Sequence, residues 1–202
     1  KKEAAADKVL LSIGRVPSTK GLGLETIGVE TTKRGAIVTD EHMKTNQPEV
    51  YASGDINGTS MLAHTAYRET EVAVNNMLGI KDRMKYNAIP GVIYTNPEVA
   101  GVGETEQSAK EKGLDVTVKS VTMKFAGRYV AENEGGDGII KIIVDNRKNT
   151  LVGVHMISNY ASEIIYGAVA MVDKEMTIDQ IKKIVFPHPT VCEALREAIF
   201  QL

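Results

Sequence analysis

The stretch GIIKIIVDNRKNTLVGVHMI, Gly138 to Ile157, restricts the fold more than any other part of the chain. Two runs rich in Ile and Val flank DNRKN, a cluster of turn formers, and this predicts a β-hairpin. A hairpin commits its surroundings to antiparallel pairing, and strand candidates stand close by. LDVTVKSVTMKF (Leu114 to Phe125) alternates as a strand. GVIYTNPEVAGVGETEQSAKEKG (Gly91 to Gly113) reads as strand, turn, strand, then a helix capped near Thr105 and stopped at Gly113. Three helical segments follow: SEIIYGAVAMVDK, then TIDQIKKIV with Thr177 and Gln180 at capping-box spacing, then TVCEALREAIFQL. Strands followed by helices predict an α+β unit with a mostly antiparallel sheet.

The first half has a different character. KVLLSIG (Lys8 to Gly14) predicts a short buried strand, and GAIVTD and EVYASGD two more ending in turn residues. RVPSTKGLGLETIG is a loop with a short helical turn. Ser60 to Leu78 has apolar residues at helical spacing, with Gly79 as its C-cap. The strands are apolar and too few to cover both their faces, so this half is expected to be an incomplete α/β segment. The boundary falls near Met84 or Lys85, dividing the chain into residues 1–84 and 85–202. The opening KKEAAADKVLL has no initiator Met and reaches an apolar run within a few residues, as a piece of a longer protein would.

Composition narrows the function classes. Among 202 residues, 43% are hydrophobic and 25% charged, the balance of a water-soluble globular chain. With 24 basic and 26 acidic residues, no basic field favours nucleic acid or a membrane surface. The absence of a long apolar run or leader pattern makes the cytoplasm the expected setting. One cysteine, Cys192, excludes an internal disulfide and any CxxC pair in this chain. No metal site is expected.

Four motifs can carry chemistry. Asp55, at the end of EVYASGDI, is placed to project a carboxylate from a strand's C-terminal edge toward a ligand's hydroxyls. On the motif alone, a plain strand-to-turn junction is the commoner use of Gly-Asp. Met61, Leu62, Ala63 and His64 lie at a helix start, where backbone N–H groups bind electron-rich atoms; on the motif alone, core packing by the first three and a surface histidine is the favoured reading. Gly14 ends a strand where a backbone can approach a ligand closely. In FPHPTVCEALREA, Pro187 and Pro189 restrict His188 and hold it as a proton-transfer group must be held. Glu193 stands where it can orient that imidazole, yet Thr190 and Glu193 also have T-x-x-E spacing, which would commit the same carboxylate to a capping box. Spacing alone slightly favours the cap. Cys192, flanked by apolar residues, reads as a small buried hydrophobe.

Taken in order, GRVPSTKGLGLETIGVE, YASGDI, MLAH, YTNPEVAGVGETEQSAKEKG, LVGVHMISNYASEII and HPTVCEALREA resemble dihydrolipoamide dehydrogenases, members of the FAD-dependent pyridine nucleotide-disulfide oxidoreductases. The resemblance implies the end of an NAD domain, the returning part of an FAD domain and a whole C-terminal interface (dimerisation) domain. It implies Gly14 near the nicotinamide nucleotide and Asp55 on the FAD ribitol. Met61 to His64 would line the flavin. His188 would be the proton acceptor and donor for a dithiol in the partner subunit of a homodimer, with Glu193 orienting it. Where family members often carry His-Ala before the His-Pro-Thr, this chain has Phe186 and Pro187. It holds no G-x-G-x-x-G loop and no cysteine pair, so FAD, NAD and the redox disulfide belong to a longer parent, and the chain alone is expected to bind no cofactor stably. The implied partners are lipoyl-carrying subunits of 2-oxoacid dehydrogenase or glycine cleavage complexes. The alternatives are a non-catalytic dimerisation module and a related reductase of glutathione or mercuric ion.

Overall fold

The computed structural model describes residues 3–202. The chain divides into two compact units, one ending at Lys85 and one running from Tyr86 to Leu202.

The second unit is built on the hairpin. Strands β1 (Gly91–Ile93), β2 (Glu98–Gly103), β3 (Val116–Thr122), β4 (Ile139–Asp145) and β5 (Thr150–Ser158) form one sheet in the order β1-β2-β5-β4-β3. Every pairing is antiparallel. The turn is closed by Asp145, whose carboxylate accepts the Arg147 N–H at 2.8 Å, and by Asn149, which takes the left-handed conformation (φ 54°) that Asn tolerates well. Ile140 faces Met156 and Ile142 faces Val154 across the ladder, and all four are buried. The buried face is therefore a period-2 pattern on both arms of one hairpin.

Of the helices in this unit, the fourth and the sixth pack on the sheet and join that buried cluster. Helix α2 (Glu106–Glu111) starts at Thr105, whose hydroxyl accepts the Ser108 N–H at 3.0 Å. A short α3 (Gly127–Glu132), which periodicity does not predict, buries Tyr129. Helix α4 (Ala161–Asp173) packs on β2 and β5 through Ile164, Ile165, Ala168, Met171 and Val172. Helix α5 (Ile178–Ile181) has the expected capping box between Thr177 and Gln180. Helix α6 (Glu193–Phe200) buries Ala194, Leu195, Ala198 and Ile199 against β3 and β4. Burying Leu195 alone is worth about 1.5–3 kcal/mol, so α6 is held firmly at its first turn.

The first unit departs from expectation. Lys8 to Gly14 forms no strand, and Val9, Leu10, Leu11 and Ile13 are exposed. No segment among the described residues offers this run a ladder, and an unpaired apolar run has nothing to bury it. Gly35–Asp40 and Glu49–Asp55 likewise make only single bridges, Thr31 with Ile37 and Lys44 with Tyr51, around a small core of Val29, Ile37 and Ala52. The helix expected over Ser60–Leu78 is present as α1 (Ala63–Met77), and Gly79 follows it in the left-handed region.

Candidate functional site

After α5 the chain turns through an irregular loop into α6, and this loop carries His188. Its Nδ1 lies 2.8 Å from Oε1 of Glu193, while Oε2 of the same carboxylate accepts the Thr190 N–H at 2.9 Å. The Thr190 hydroxyl donates to the Pro187 carbonyl at 2.7 Å, closing the loop on itself. A carboxylate only accepts, so Nδ1 carries a proton, and in the neutral ring Nε2 keeps its lone pair. The imidazole side chain is 80% exposed and that of Glu193 only 19%. The carboxylate is held below the ordinary glutamate range, first by the Thr190 N–H and then by the bond to His188.

The two roles foreseen as competing for Glu193 are compatible, because they use different oxygens. The capping box is only half made: Glu193 reaches back to Thr190, but the Thr190 hydroxyl serves Pro187, and Cys192 is the N-cap, with no side-chain cap bond. Cys192, expected as a small buried hydrophobe, is half-buried against the core, its Sγ 3.0 Å from Thr190 Oγ1.

The remaining residues lie in the first unit. Asp55 sits in a 3-10 turn, Gly54–Asn57, with a half-exposed carboxylate 3.6 Å from the Arg15 guanidinium. Arg15 directly follows Gly14, which is exposed with φ +122°. Leu62 is the N-cap of α1, and its side chain makes no cap bond. Met61 is half-buried, and Leu62, Ala63 and His64 are exposed. Ser60 Oγ is bonded to Thr65 Oγ1, and Ser53 Oγ to Thr70 Oγ1, both at 2.9 Å. Glu69 is fully buried, and its Oε2 accepts the Gly54 N–H at 2.6 Å and the Asn57 side-chain N–H at 2.9 Å. Gly54 has φ +82°, and a Cβ there would stand 3.3 Å from that of Ala66, so turn and helix are in close contact.

Sequence reasoning missed Arg15 and Glu69. Glu69 did leave a signal, since it falls in phase with Thr65, Val72 and Ala73, the buried stripe of α1. A charged residue in phase with a core stripe needs a buried partner.

The pyridine nucleotide-disulphide oxidoreductase dimerisation domain matches residues 89–199, and the pyridine nucleotide-disulphide oxidoreductase domain matches residues 1–70. The chain belongs to the pyridine nucleotide-disulphide oxidoreductase family. Within it, the chain is 39% identical over 193 residues to dihydrolipoyl dehydrogenase 1, mitochondrial, of Arabidopsis thaliana, a match covering 96% of this chain and 38% of the relative. It is 38% identical over 196 residues to dihydrolipoyl dehydrogenase of Thermus scotoductus, covering 97% and 42%. Its fold is that of LpdA from Mycobacterium tuberculosis (TM-score 0.87, 24% identity, 95% of this chain and 42% of that one). The HOCl-induced flavoprotein disulfide reductase RclA from Escherichia coli is also similar (TM-score 0.83, 25% identity, 94% and 44%). The chain thus spans about two-fifths of the length of the family members it matches. Among the described residues no helix is long and apolar enough to cross a membrane, and no group of three metal-ligating side chains is assembled.

Proposed function

We propose that this chain is the C-terminal part of a dihydrolipoyl dehydrogenase, which oxidises protein-bound dihydrolipoamide and passes the electrons to NAD. One observation carries the reading: His188 is fixed through Nδ1 by a carboxylate that is itself fixed by a backbone N–H, with its imidazole exposed. An imidazole held this way takes a proton on Nε2 when a dithiol is oxidised and returns it when a disulfide is reduced. The Glu193 carboxylate stabilises the imidazolium formed in between. The exposure of His188 suits service to a dithiol presented by another subunit. Exposed side chains of the second unit such as Val185, Ile93, Tyr94 and Phe200 offer apolar area for a homodimer, the two-fold arrangement commonest among oligomers.

The residues of the first unit fit FAD. Asp55 offers an acceptor for ribityl hydroxyls, and the start of α1, lacking a side-chain cap, offers N–H donors to the electron-rich edge of a flavin. The close approach of Gly54 to Ala66 makes room for no side chain between that turn and α1. FAD, when bound, supplies the two-electron step between dithiol and nicotinamide nucleotide. Gly14 and Arg15 then lie toward the NAD side. The chain alone, with one cysteine, has no disulfide pair and binds neither cofactor stably in this reading. Lipoyl-carrying subunits of 2-oxoacid dehydrogenase or glycine cleavage complexes would be its partners, and the cytoplasm its setting.

A second reading, a dimerisation module without catalysis of its own, is favoured by the match of residues 89–199 to a dimerisation domain. His188→Gln in the complete enzyme tests the choice. Dihydrolipoamide oxidation is expected to fall ~10²–10⁴-fold, the usual worth of a positioned acid–base group, while NADH-to-dye electron transfer persists. Equal loss of both activities rejects the acid–base role.

A further inference from the structure

We propose that Glu69 is a positioning residue for the cofactor site: a buried carboxyl that locks the turn carrying Asp55 onto the helix whose N-terminus lines the same ligand. The inference rests on the reading of Asp55 and Met61–His64 as FAD contacts.

Those two elements must present a carboxylate and a row of amides to one molecule at a fixed separation, since an error of about 1 Å in such a site is costly. Nothing in the backbone alone guarantees that separation. Gly54–Asn57 is a 3-10 turn, and residues 58–62 between it and α1 are irregular. Glu69 lies two turns into α1, wholly inaccessible, and its Oε2 receives both the Gly54 N–H (2.6 Å) and the Asn57 side-chain N–H (2.9 Å). Asn57 is itself buried, and its Oδ1 accepts the Thr59 N–H at 2.9 Å, which extends the grip past the turn. The Gly54 N–H belongs to the residue immediately before Asp55 and the Asn57 side chain to the residue two after it, so Glu69 grips the turn on both sides of Asp55. The Asp55 side chain remains half-exposed and outside this network, with the Arg15 guanidinium 3.6 Å away.

A buried carboxyl is a poor device for stability alone. Apolar residues of similar volume often serve as well or better, whereas buried polar groups give a unique geometry. The turn that Glu69 pins is the turn that projects Asp55.

The test uses the complete flavoenzyme containing this chain, with variants Glu69→Ala, Glu69→Gln and Asp55→Asn. FAD dissociation constants are read by flavin fluorescence, and protection of the Gly54 amide by hydrogen exchange. Glu69→Ala is expected to weaken FAD binding ~10-fold or more, the factor that about 1.4 kcal/mol of lost hydrogen bonding makes, and to deprotect Gly54. Glu69→Gln keeps one acceptor oxygen and is expected to recover part of both effects; it also stands in if the alanine variant does not fold. Asp55→Asn should weaken FAD binding with Gly54 still protected. If Asp55→Asn weakens FAD and both Glu69 variants bind it as the parent does, the positioning role is overturned. If Asp55→Asn also leaves FAD affinity unchanged, the cofactor reading itself has failed, and this inference with it.

Discussion

Glu193→Gln separates the two duties of one carboxylate, and the structure sets what each should lose. The glutamine carbonyl can take the place of Oε2 beneath the Thr190 N–H, so the start of α6 keeps its acceptor. Its NH2 group then faces His188 Nδ1, 2.8 Å from the position of Oε1. An amide NH2 only donates, so Nδ1 must accept and the ring proton moves to Nε2. The exposed nitrogen changes from proton acceptor to donor while the geometry hardly alters. Replacing a charge-assisted hydrogen bond by a neutral one costs ~1 kcal/mol, and the bond to a largely exposed histidine adds at most ~1 kcal/mol. A fall in Tm of about 2–4 °C per kcal/mol is expected for a protein of a few hundred residues. In the complete enzyme proposed above, dihydrolipoamide oxidation should drop far more, ~10²–10⁴-fold, with NADH-to-dye transfer retained. Glu193→Ala, which removes the acceptor for Thr190 as well, should add the loss of a cap, ~1 kcal/mol.

Stability against pH supplies a second readout. Glu193 is held below its ordinary value of 4.5 in the folded protein. Its contribution is therefore complete above pH 4.5 and lost as pH falls through the lower folded value. The Gln variant should lose that part of the acid-side slope. If Glu193→Gln shifts Tm but leaves dihydrolipoamide oxidation intact, the carboxylate is a helix cap and the orienting role is refuted.

Three further outcomes are expected. Asp82, pushed down to about 2 mainly by the Arg68 guanidinium and then by Asn75, contributes stability that is complete above its ordinary 3.8 and lost on acidification toward pH 2; acid unfolding of Asp82→Asn followed by circular dichroism should lack this component, and an unchanged profile would assign it elsewhere. In Gly153→Ala the new Cβ would overlap the Glu104 carbonyl oxygen and lie 3.0 Å from its carbon, both rigid backbone, so a loss of about 1–3 kcal/mol or more is expected in denaturant melts; Gly167→Ala in α4, where a Cβ meets nothing within 4 Å, is the neutral or mildly stabilising control. Sedimentation of the chain should show concentration-dependent self-association, and exclusively monomeric behaviour at high concentration would argue against a homodimer formed through the second unit.

The second unit could be read in the sequence because its determinants are local. The hairpin needs only alternation and a turn within twenty residues, and the capping box at Thr177 and Gln180 spans four. In the first unit the same rules misplaced Lys8–Gly14, since an apolar run becomes a buried strand only where a neighbouring strand accepts it. Helix α3 escaped because its six residues make fewer than two turns, too few for a periodic stripe, and it is anchored by Tyr129, buried in the core of the second unit. Asp55 and Met61–His64 were visible as motifs, but the bonds that join them were not.

Two glutamates make the reason explicit. Glu193 bonds to residues three and five positions away, so spacing could propose both partners; it erred only in treating a carboxylate as having one acceptor to give. Glu69 bonds to residues twelve and fifteen positions away, across an irregular stretch whose path no local pattern specifies. On α1 its position in the buried stripe says only that some donor must meet it, and which donor depends on how residues 58–62 bring the chain around. A carboxyl that closes a loop on itself can be read from its own segment. One that ties two segments together becomes readable only when the fold is known, and in the proposed enzyme such a tie fixes the distance between the groups that meet the cofactor.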